Sequence, residues 1–338
     1  MSLDYPYQDA PENHQSVTIH PHVKWVRSPL PFSLASINCY LLKDGEGWCV
    51  VDTGMNGSNS IDTWRSIIET QLEGMPITRV IVTHHHPDHI GLAGWFCEEF
   101  KVPFYTSELE YYYTRSFYAP KRKDQYWESV RYFDLSAIDK DSRDAVLADS
   151  TYSELVWEVP SAFHRLQDGD HIRIGDFEWE AITTRGHAPE HLSLYCKELN
   201  LYISGDQVLP EITSNVSISS TQATANPLKD WFTAHDIVAQ RVPDSVLVLP
   251  AHQLPFKGLH YRLQEVVDHH IERLEKIEAL SIEPVDAQSI ARKLFNREMD
   301  NFQNFLAVGE VMAHLNWLIE EGRMQVNIVA GVNQFQKI

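Results

Sequence analysis

A run of histidine and aspartate residues carries the clearest chemistry in this 338-residue sequence. The run follows a predicted strand and contains His84, His85, His86, Asp88 and His89. Because alternate residues of an extended segment point the same way, His84 and His86 can face one site. The turn at Pro87 brings Asp88 and His89 to an adjacent position. Imidazole and carboxylate groups suit zinc, iron or manganese far better than calcium. The run therefore predicts two metal ions, and the alternative is a solvated histidine-rich turn.

Three further polar residues follow predicted strands later in the chain. They are His187 in Thr-Arg-Gly-His, Asp206 in Ser-Gly-Asp and His252 in Leu-Pro-Ala-His. Loops at strand ends commonly carry functional groups, although one such residue alone is more often a cap or a surface residue. Their occurrence together, in this order, favours one metal centre built from several loops.

These segments resemble the pattern of the metallo-β-lactamase superfamily, in which HxHxDH precedes a histidine, a bridging aspartate and a last histidine. The resemblance extends from about Ile19 to Phe256. Carried over by position, it implies three ligands for a first metal, three for a second and one bridge: His84, His86 and His187; Asp88, His89 and His252; and Asp206. The metals implied are two divalent transition-metal ions, with zinc expected first and iron or manganese as alternatives.

Two residues beside this pattern have two interpretations each. Asp52, in Val-Asp-Thr-Gly, resembles the carboxylate that orients a ligand imidazole, a need that metal sites have on independent physical grounds. Its alternative is an ordinary aspartate in a turn before glycine. His191 either assists the site or forms a local hydrogen bond. Arg185 departs from the proline that the superfamily usually has before Gly-His.

The chemistry that the resemblance implies is hydrolysis without a serine or cysteine nucleophile. Two metals can hold a bridging water, lower its pKa toward about 7 and polarise the scissile bond. Asp88 and Asp206 are the predicted catalytic carboxylates, which orient the hydroxide, and Asp88 takes up its proton. Lactam-cleaving members generally lack the bridging carboxylate that Asp206 supplies. Antibiotic hydrolysis is therefore disfavoured.

Charge separates the candidate function classes. The sequence predicts a metal-dependent hydrolase of a small-molecule ester, thioester or lactone, and the alternatives are a nuclease or phosphodiesterase and a di-iron redox protein. A formal net charge of −19 repels nucleic acid and anionic membranes. Residues 259–338 hold 8 basic against 12 acidic residues, and a flavin domain does not fit in that length. The chain has one dense basic run, Lys121, Arg122 and Lys123, which could attract a phosphate or carboxylate and so favours the nuclease or phosphodiesterase alternative.

The cysteines and the N-terminus predict a cytoplasmic protein. The four cysteines form no CxxC pair, so neither a disulfide framework nor a thiolate metal site is expected. The first 15 residues lack the basic and apolar runs of a signal peptide. No apolar stretch approaches the length of a membrane-spanning helix.

The predicted elements give an α+β fold. It is expected to be a four-layer αβ/βα metallo-β-lactamase sandwich over residues 17–258, after an N-terminal extension at 1–16. An aromatic-rich helical insertion is predicted at 107–165, where it could wall the pocket, although most of its aromatic residues should be packed. Residues 259–338 are predicted to form three helices and a hairpin in a small winged-helix-like domain. This domain is expected to serve packing, or a homodimer, rather than DNA binding.

Overall fold

The computed structural model describes residues 2–31, 34–118, 127–148 and 151–338, and these form two compact units. The first unit comprises residues 2–31, 34–118, 151–214 and 237–263, and the second comprises 127–148, 215–236 and 264–338. The basic run at 121–123, together with Tyr126 of the predicted insertion, lies outside the described residues. Among the helices of the described ranges, none is both long and apolar enough to cross a membrane.

The first unit contains two sheets. Seven strands form one sheet in chain order: β1 (Ser16–His20), β2 (Val23–Pro29), β3 (Ser36–Asp44), β4 (Gly47–Val51), β5 (Ile77–Ile81), β6 (Phe104–Thr106) and β7 (His164–Arg165). Strands β1–β4 are antiparallel, and β4–β7 are parallel. The other sheet runs β12-β11-β10-β9-β8, from β8 (His171–Ile174), β9 (Phe177–Thr184), β10 (His191–Cys196), β11 (Leu201–Gly205) and β12 (Leu247–Pro250).

The described residues also form ten α-helices, a hairpin and two short 3-10 helices at Thr151–Leu155 and Ser220–Gln222. The helices are α1 (Ser58–Gln71), α2 (Pro87–Ile90), α3 (Ala93–Phe100), α4 (Glu108–Phe117), α5 (Trp127–Leu135), α6 (Lys140–Ala148), α7 (Pro227–Arg241), α8 (Leu259–Leu280), α9 (Ala287–Phe295) and α10 (Asn301–Glu320). The hairpin pairs β13 (Met324–Val329) with β14 (Val332–Lys337). Its two turn residues, Ala330 and Gly331, both have positive φ, as the tight turns favoured in hairpins require.

Three apolar clusters layer the first unit. Trp25 and Leu42 of one sheet pack against Leu192 and Leu194 of the other, because alternate residues of these strands point inward. The opposite face of the first sheet packs on α1 and α3, and that of the second sheet packs on the parts of α7 and α8 that belong to this unit, residues 237–241 and 259–263. The order of layers is helix, sheet, sheet, helix. The predicted four-layer α+β sandwich is therefore confirmed.

The second unit does not follow the predicted boundaries. Residues 127–148, predicted as part of one insertion, belong to this unit, whereas helix α4 belongs to the first unit. The reason is the burial of Tyr132 and Phe133, which lie in one apolar cluster with residues of α9 and α10. The predicted insertion also ends in strand β7 rather than in helix. The C-terminal helices and hairpin are present as predicted, and their winged-helix classification stays a prediction.

Candidate metal centre

The predicted ligands lie in loops at the carboxyl ends of strands in both sheets. The segment from His84 to His89 follows β5 and enters helix α2. His187, Asp206 and His252 follow β9, β11 and β12, respectively. The two sheets face each other, so loops that are far apart in sequence meet at one edge of the sandwich. The seven predicted ligands consequently lie together in the first unit.

Three imidazoles converge in the first group of candidate ligands. His84 Nε2 lies 2.9 Å from His86 Nδ1 and 3.1 Å from His187 Nε2. Together with Asp206 they offer four ligand atoms within 4.8 Å of one another. His84 is fully buried. This grouping is the one that the sequence assigned to the first metal and the bridge.

The second group pairs a carboxylate with two imidazoles. Asp88 Oδ2 lies 3.3 Å from His252 Nε2 and 3.6 Å from His89 Nε2. The three ligand atoms of this group lie within 4.8 Å of one another. It has the composition that the sequence assigned to the second metal.

Asp206 lies between the two groups. Its Oδ1 atom is 3.5 Å from both His89 Nε2 and His252 Nε2, and its Oδ2 atom is 3.4 Å from His187 Nε2. One oxygen therefore faces each group. This is the position that a bridging ligand must take.

Hydrogen bonds fix which nitrogen of two histidines faces the centre. The ring N–H at Nδ1 of His89 donates to Asp52 Oδ2 at 2.8 Å, and that of His252 donates to the carbonyl of Ser36 at 3.0 Å. Each ring then presents Nε2 to the centre. Metal-bound histidines in proteins are oriented in this way.

Asp52 lies where the predicted orienting carboxylate should lie. Besides His89, it accepts hydrogen bonds from the backbone N–H and the hydroxyl of Thr83, at 2.8 and 2.9 Å. Its φ of +57° is left-handed, a region in which aspartate is one of the few side chains found repeatedly. The side chain is buried, so it acts on the histidine loop rather than capping a surface turn.

Two polar atoms test whether the site fits a metal. Within the part of the chain that the structure describes, His89 Nε2 and Asp206 Oδ1 are buried without a hydrogen-bond partner. Each unsatisfied group of this kind costs about 1–3 kcal/mol. A cation bound by both groups removes that cost, and imidazole and carboxylate are suitable ligands for zinc, iron or manganese. The residues present fit a binuclear centre.

Electrostatics prepares these groups to bind cations. Burial, reinforced by neighbouring histidines, holds the pKa of His84 well below its usual value. The same two causes lower the pKa of His86. Burial opposes ionisation of Asp206, but His89 and His252 outweigh it and hold the pKa of this carboxyl well below its usual range. His84 and His86 are thus held neutral and Asp206 ionised, which are the forms that bind metal. Asp88 and Asp206 outweigh burial and raise the pKa of His89 and of His252, so these two imidazoles give up a proton when metal binds.

His191 assists the site by holding the loop of a candidate ligand, which was one of its two predicted roles. Its Nε2 atom accepts from the backbone N–H of Asp206 at 3.2 Å and is therefore engaged. Gly205 makes room for this contact, because a Cβ atom there would lie 2.6 Å from His191 Nε2. The φ of Gly205 is also positive, at +52°. Glycine at position 205 thus lets the Asp206 loop approach the histidines.

Three residues that support the centre were missed by sequence analysis: Ser36, Thr83 and Glu110. Ser36 contributes a backbone carbonyl, which any residue could supply, and Thr83 contributes a common N–H and hydroxyl. Glu110 lies on α4, among tyrosines, and accepts a hydrogen bond from His85 N at 2.9 Å. Sequence gives it little signal, since it is one of two acidic residues before the tyrosines of this helix.

A third group of possible ligands lies in the second unit. His270, Glu310 and His314 offer atoms within 4.8 Å of one another. The N–H at Nδ1 of His314 donates to the carbonyl of Glu310 at 2.7 Å, and His270 Nδ1 lies 3.0 Å from His314 Nε2. The Glu310 carboxylate pairs with the Arg273 guanidinium. Apart from His270 Nε2, these contacts account for the group, and we assign no metal to it.

This buried pair predicts acid sensitivity of the second unit. Burial lowers the pKa of His270 to about 2 and that of His314 to about 3. In the unfolded chain both histidines titrate near a pKa of about 6.5, so the unfolded state takes up protons first as the pH falls. The stabilisation is complete above that pH and is lost progressively below it. Lowering the pH from about 7.5 to about 5.5 should reduce the free energy of unfolding by roughly 2–3 kcal/mol.

Denaturant unfolding at the two pH values, in the presence of a chelator, measures this loss. The control is the double variant His270→Leu, His314→Leu, which replaces both partners by apolar groups. In this variant the free energy of unfolding should change much less between the two pH values than it does in the wild type. Equal pH dependence in the wild type and the double variant would contradict the assignment to these histidines.

Two family profiles match the chain. The profile of the metallo-beta-lactamase superfamily matches residues 34–285, a range that contains the seven candidate ligands. The profile of the metallo-beta-lactamase-like C-terminal domain matches residues 274–338. The first match covers well over half of the sequence.

One solved structure and two relatives illustrate the similarity. The crystal structure of a beta-lactamase domain protein from Burkholderia ambifaria has a TM-score of 0.92 and 35% identity, covering 99% of this chain and 98% of that one. A "probable metallo-hydrolase" of Bacillus subtilis is 24% identical over 308 residues, which are 88% of this chain and 92% of that protein. The hydroxyacylglutathione hydrolase of Rhodopseudomonas palustris is 26% identical over 167 residues, covering 48% and 47%.

Proposed function

The chain belongs to the metallo-beta-lactamase superfamily, and on that premise we propose that it is a binuclear metal-dependent hydrolase acting on an acyl bond. The substrate proposed is a small-molecule thioester, ester or lactone. The observation that carries the proposal is the position of Asp206, with one oxygen toward each group of histidines. That arrangement suits two metals that share one carboxylate.

The proposed metal ions are zinc, bound by the three ligands of each group and by Asp206. Bound there, two divalent ions supply Lewis acidity and lower the pKa of water. His89 and His252 are held in place by Asp52 and by the carbonyl of Ser36, so the ligand set is ordered before metal enters. Because the ligands are ordered in advance, metal binding costs less conformational entropy.

Two carboxylates have separate proposed roles. The side chain of Asp88 is 19% exposed and that of Asp206 is 11% exposed. Asp88 is thus the more accessible to water, and we assign to its carboxylate the proton that the attacking water loses. Asp206 orients the water between the two groups. A positioned carboxylate contributes typically about 10²–10⁴-fold as a general base.

A named relative, an apolar surface near the histidine loop and the net charge support an acyl substrate. The hydroxyacylglutathione hydrolase among the relatives is named for a thioester substrate. The tyrosines of α4 offer apolar surface near the histidine loop, since the ring centroid of Tyr113 lies 4.5 Å from that of His85. Tyr111 is buried whereas Tyr112 is 56% exposed, as expected if the three tyrosines cannot all face the core. The net charge of −19 disfavours polyanionic substrates.

Location and partners belong to the same proposal. All four cysteines are free thiols, which supports the proposed cytoplasmic location because disulfides are rare in reducing compartments. The acidic balance of residues 259–338 disfavours DNA binding, and we propose that this part of the chain serves packing or a homodimer instead.

A side-by-side assay tests the reaction class. The metal-loaded protein is given an acyl thioester, an aryl ester, a lactone, a phosphodiester, single-stranded RNA and a chromogenic cephalosporin. We expect the highest kcat/KM on one of the three acyl substrates, and its loss in the His84→Ala variant. The acyl assignment fails if RNA or the phosphodiester is the best substrate and that activity also disappears in His84→Ala.

A further inference from the structure

Helix α4 joins two loops that carry candidate ligands. We name residues 84–89 the first histidine loop and residues 187–191 the second histidine loop. Glu110, on α4, is fully buried and bonds to both of them. Its Oε2 atom accepts from the backbone N–H of His85 at 2.9 Å and lies 2.6 Å from His85 Nδ1. Its Oε1 atom accepts from the backbone N–H of Glu190 at 2.6 Å. One carboxylate thus connects the loops directly.

The first histidine loop is held at a second point by the same segment. The hydroxyl of Tyr118, directly after α4, donates to the carbonyl of His85 at 3.1 Å. The backbone of His85 is therefore bonded through its N–H to Glu110 and through its carbonyl to Tyr118. His85 lies between the candidate ligands His84 and His86, so fixing its backbone fixes theirs.

The second histidine loop is also held twice. The hydroxyl of Ser107 donates to the carbonyl of Glu190 at 2.6 Å. The backbone N–H of Leu109, in the first turn of α4, donates to Glu190 Oε2 at 2.8 Å. A carboxylate at this end of a helix is favoured by the helix dipole. Glu190 lies between the candidate ligand His187 and His191, which is hydrogen-bonded to the backbone of Asp206.

The two loops supply nitrogens that must lie close together. His84 Nε2 of the first loop lies 3.1 Å from His187 Nε2 of the second. A shift of either loop would separate these atoms. A buried carboxylate with donors on both oxygens resists such a shift, because moving one donor away leaves part of its charge unsatisfied.

We propose that Glu110 is a positioning residue that fixes the distance between the two histidine loops and thereby sets the metal affinity of the centre. Glu110 is bonded to His85 and Glu190, neither of which is a candidate ligand. The proposal rests on the metal centre of the proposed function, and it does not depend on which bond is hydrolysed.

The test is the Glu110→Gln variant, which keeps the shape of the side chain. It replaces one acceptor oxygen by an amide that faces a backbone N–H or the His85 ring, so one of the two connections is lost. Metal affinity, measured by competition with a chelator for zinc, should fall about 10-fold, as for other residues that orient metal ligands. The visible spectrum of the cobalt-substituted protein should change, and kcat should fall more than KM rises.

The matched control is Glu108→Gln on the same helix. Its carboxylate is 41% exposed and pairs with Arg165 of strand β7 at 2.8 Å. Zinc affinity and the cobalt spectrum should equal those of the wild type. Tyr118→Phe, which removes the hydroxyl bond to the His85 carbonyl, should shift both readouts in the same direction as Glu110→Gln but by less.

The outcomes separate this inference from the proposed function. Wild-type zinc affinity and an unchanged cobalt spectrum in a folded Glu110→Gln protein would overturn the role of Glu110, whatever the substrate panel shows. Weaker zinc binding with no acyl hydrolysis by the wild type would support the positioning role and refute the proposed reaction. If circular dichroism shows that Glu110→Gln is unfolded, Tyr118→Phe decides, and wild-type affinity in that variant overturns the inference.

Discussion

Replacing Asp206 with asparagine should lower kcat/KM on the best acyl substrate by about 1000-fold, equivalent to about 4 kcal/mol of transition-state stabilisation. Asp206 has one oxygen toward each group of candidate ligands, so no other described residue can take its place. Asparagine preserves the volume but removes the charge and one acceptor. The metal content should also fall, because two neighbouring cations need the bridging negative charge.

Steady-state kinetics and elemental analysis of the Asp206→Asn protein check this prediction. Asp62→Asn, at an exposed position of α1, is the matched control and should retain full activity. Circular dichroism should show that the helices of the variant are intact. Activity within 10-fold of the wild type, in a protein with unchanged metal content, would show that Asp206 does not bridge.

Replacing Asp52 with alanine should weaken both metal binding and folding. The carboxylate accepts hydrogen bonds from His89 Nδ1 and from two donors of Thr83, all of which would be left without it. Alanine at a φ of +57° adds a steric cost of about 1–2 kcal/mol. We expect a loss of roughly 2–4 kcal/mol in the free energy of unfolding of the metal-free protein. Metal affinity should fall about 10-fold to 100-fold, since His89 is no longer oriented.

Asp52→Asn separates the two effects. Asparagine tolerates the left-handed conformation and keeps one acceptor, so the loss of stability should be smaller than with alanine. Metal affinity should still fall, because the charge that holds His89 is removed. Chelator competition and denaturant unfolding on both variants provide the comparison. Wild-type metal affinity in both would show that Asp52 does not orient the ligand.

The candidate ligands could be predicted from the sequence more fully than the residues that hold them in place. His84, His86, Asp88 and His89 are close in sequence, and the strand patterns place the remaining ligands at strand ends. The geometry agrees with that grouping. Support from Ser36 could not be predicted, because it uses a backbone atom 216 positions from His252.

The fold could likewise be predicted where it depends on residues close in sequence, and not where it depends on contacts between distant residues. Alternating and helical patterns predicted the sheets, the C-terminal helices and the hairpin, since each depends on nearby residues. The membership of residues 127–148 in the second unit depends on where Tyr132 and Phe133 are buried. Glu110 likewise bonds to residues 25 and 80 positions away, which no local pattern encodes.

Elemental analysis of the protein tests the central claim most directly. The protein is prepared without chelator, incubated separately with zinc, iron and manganese, and freed of unbound metal before measurement. The arrangement of two ligand groups around Asp206 predicts about two metal ions per chain for at least one of these metals. A stoichiometry near zero with all three would contradict the binuclear centre, and with it the proposed hydrolysis.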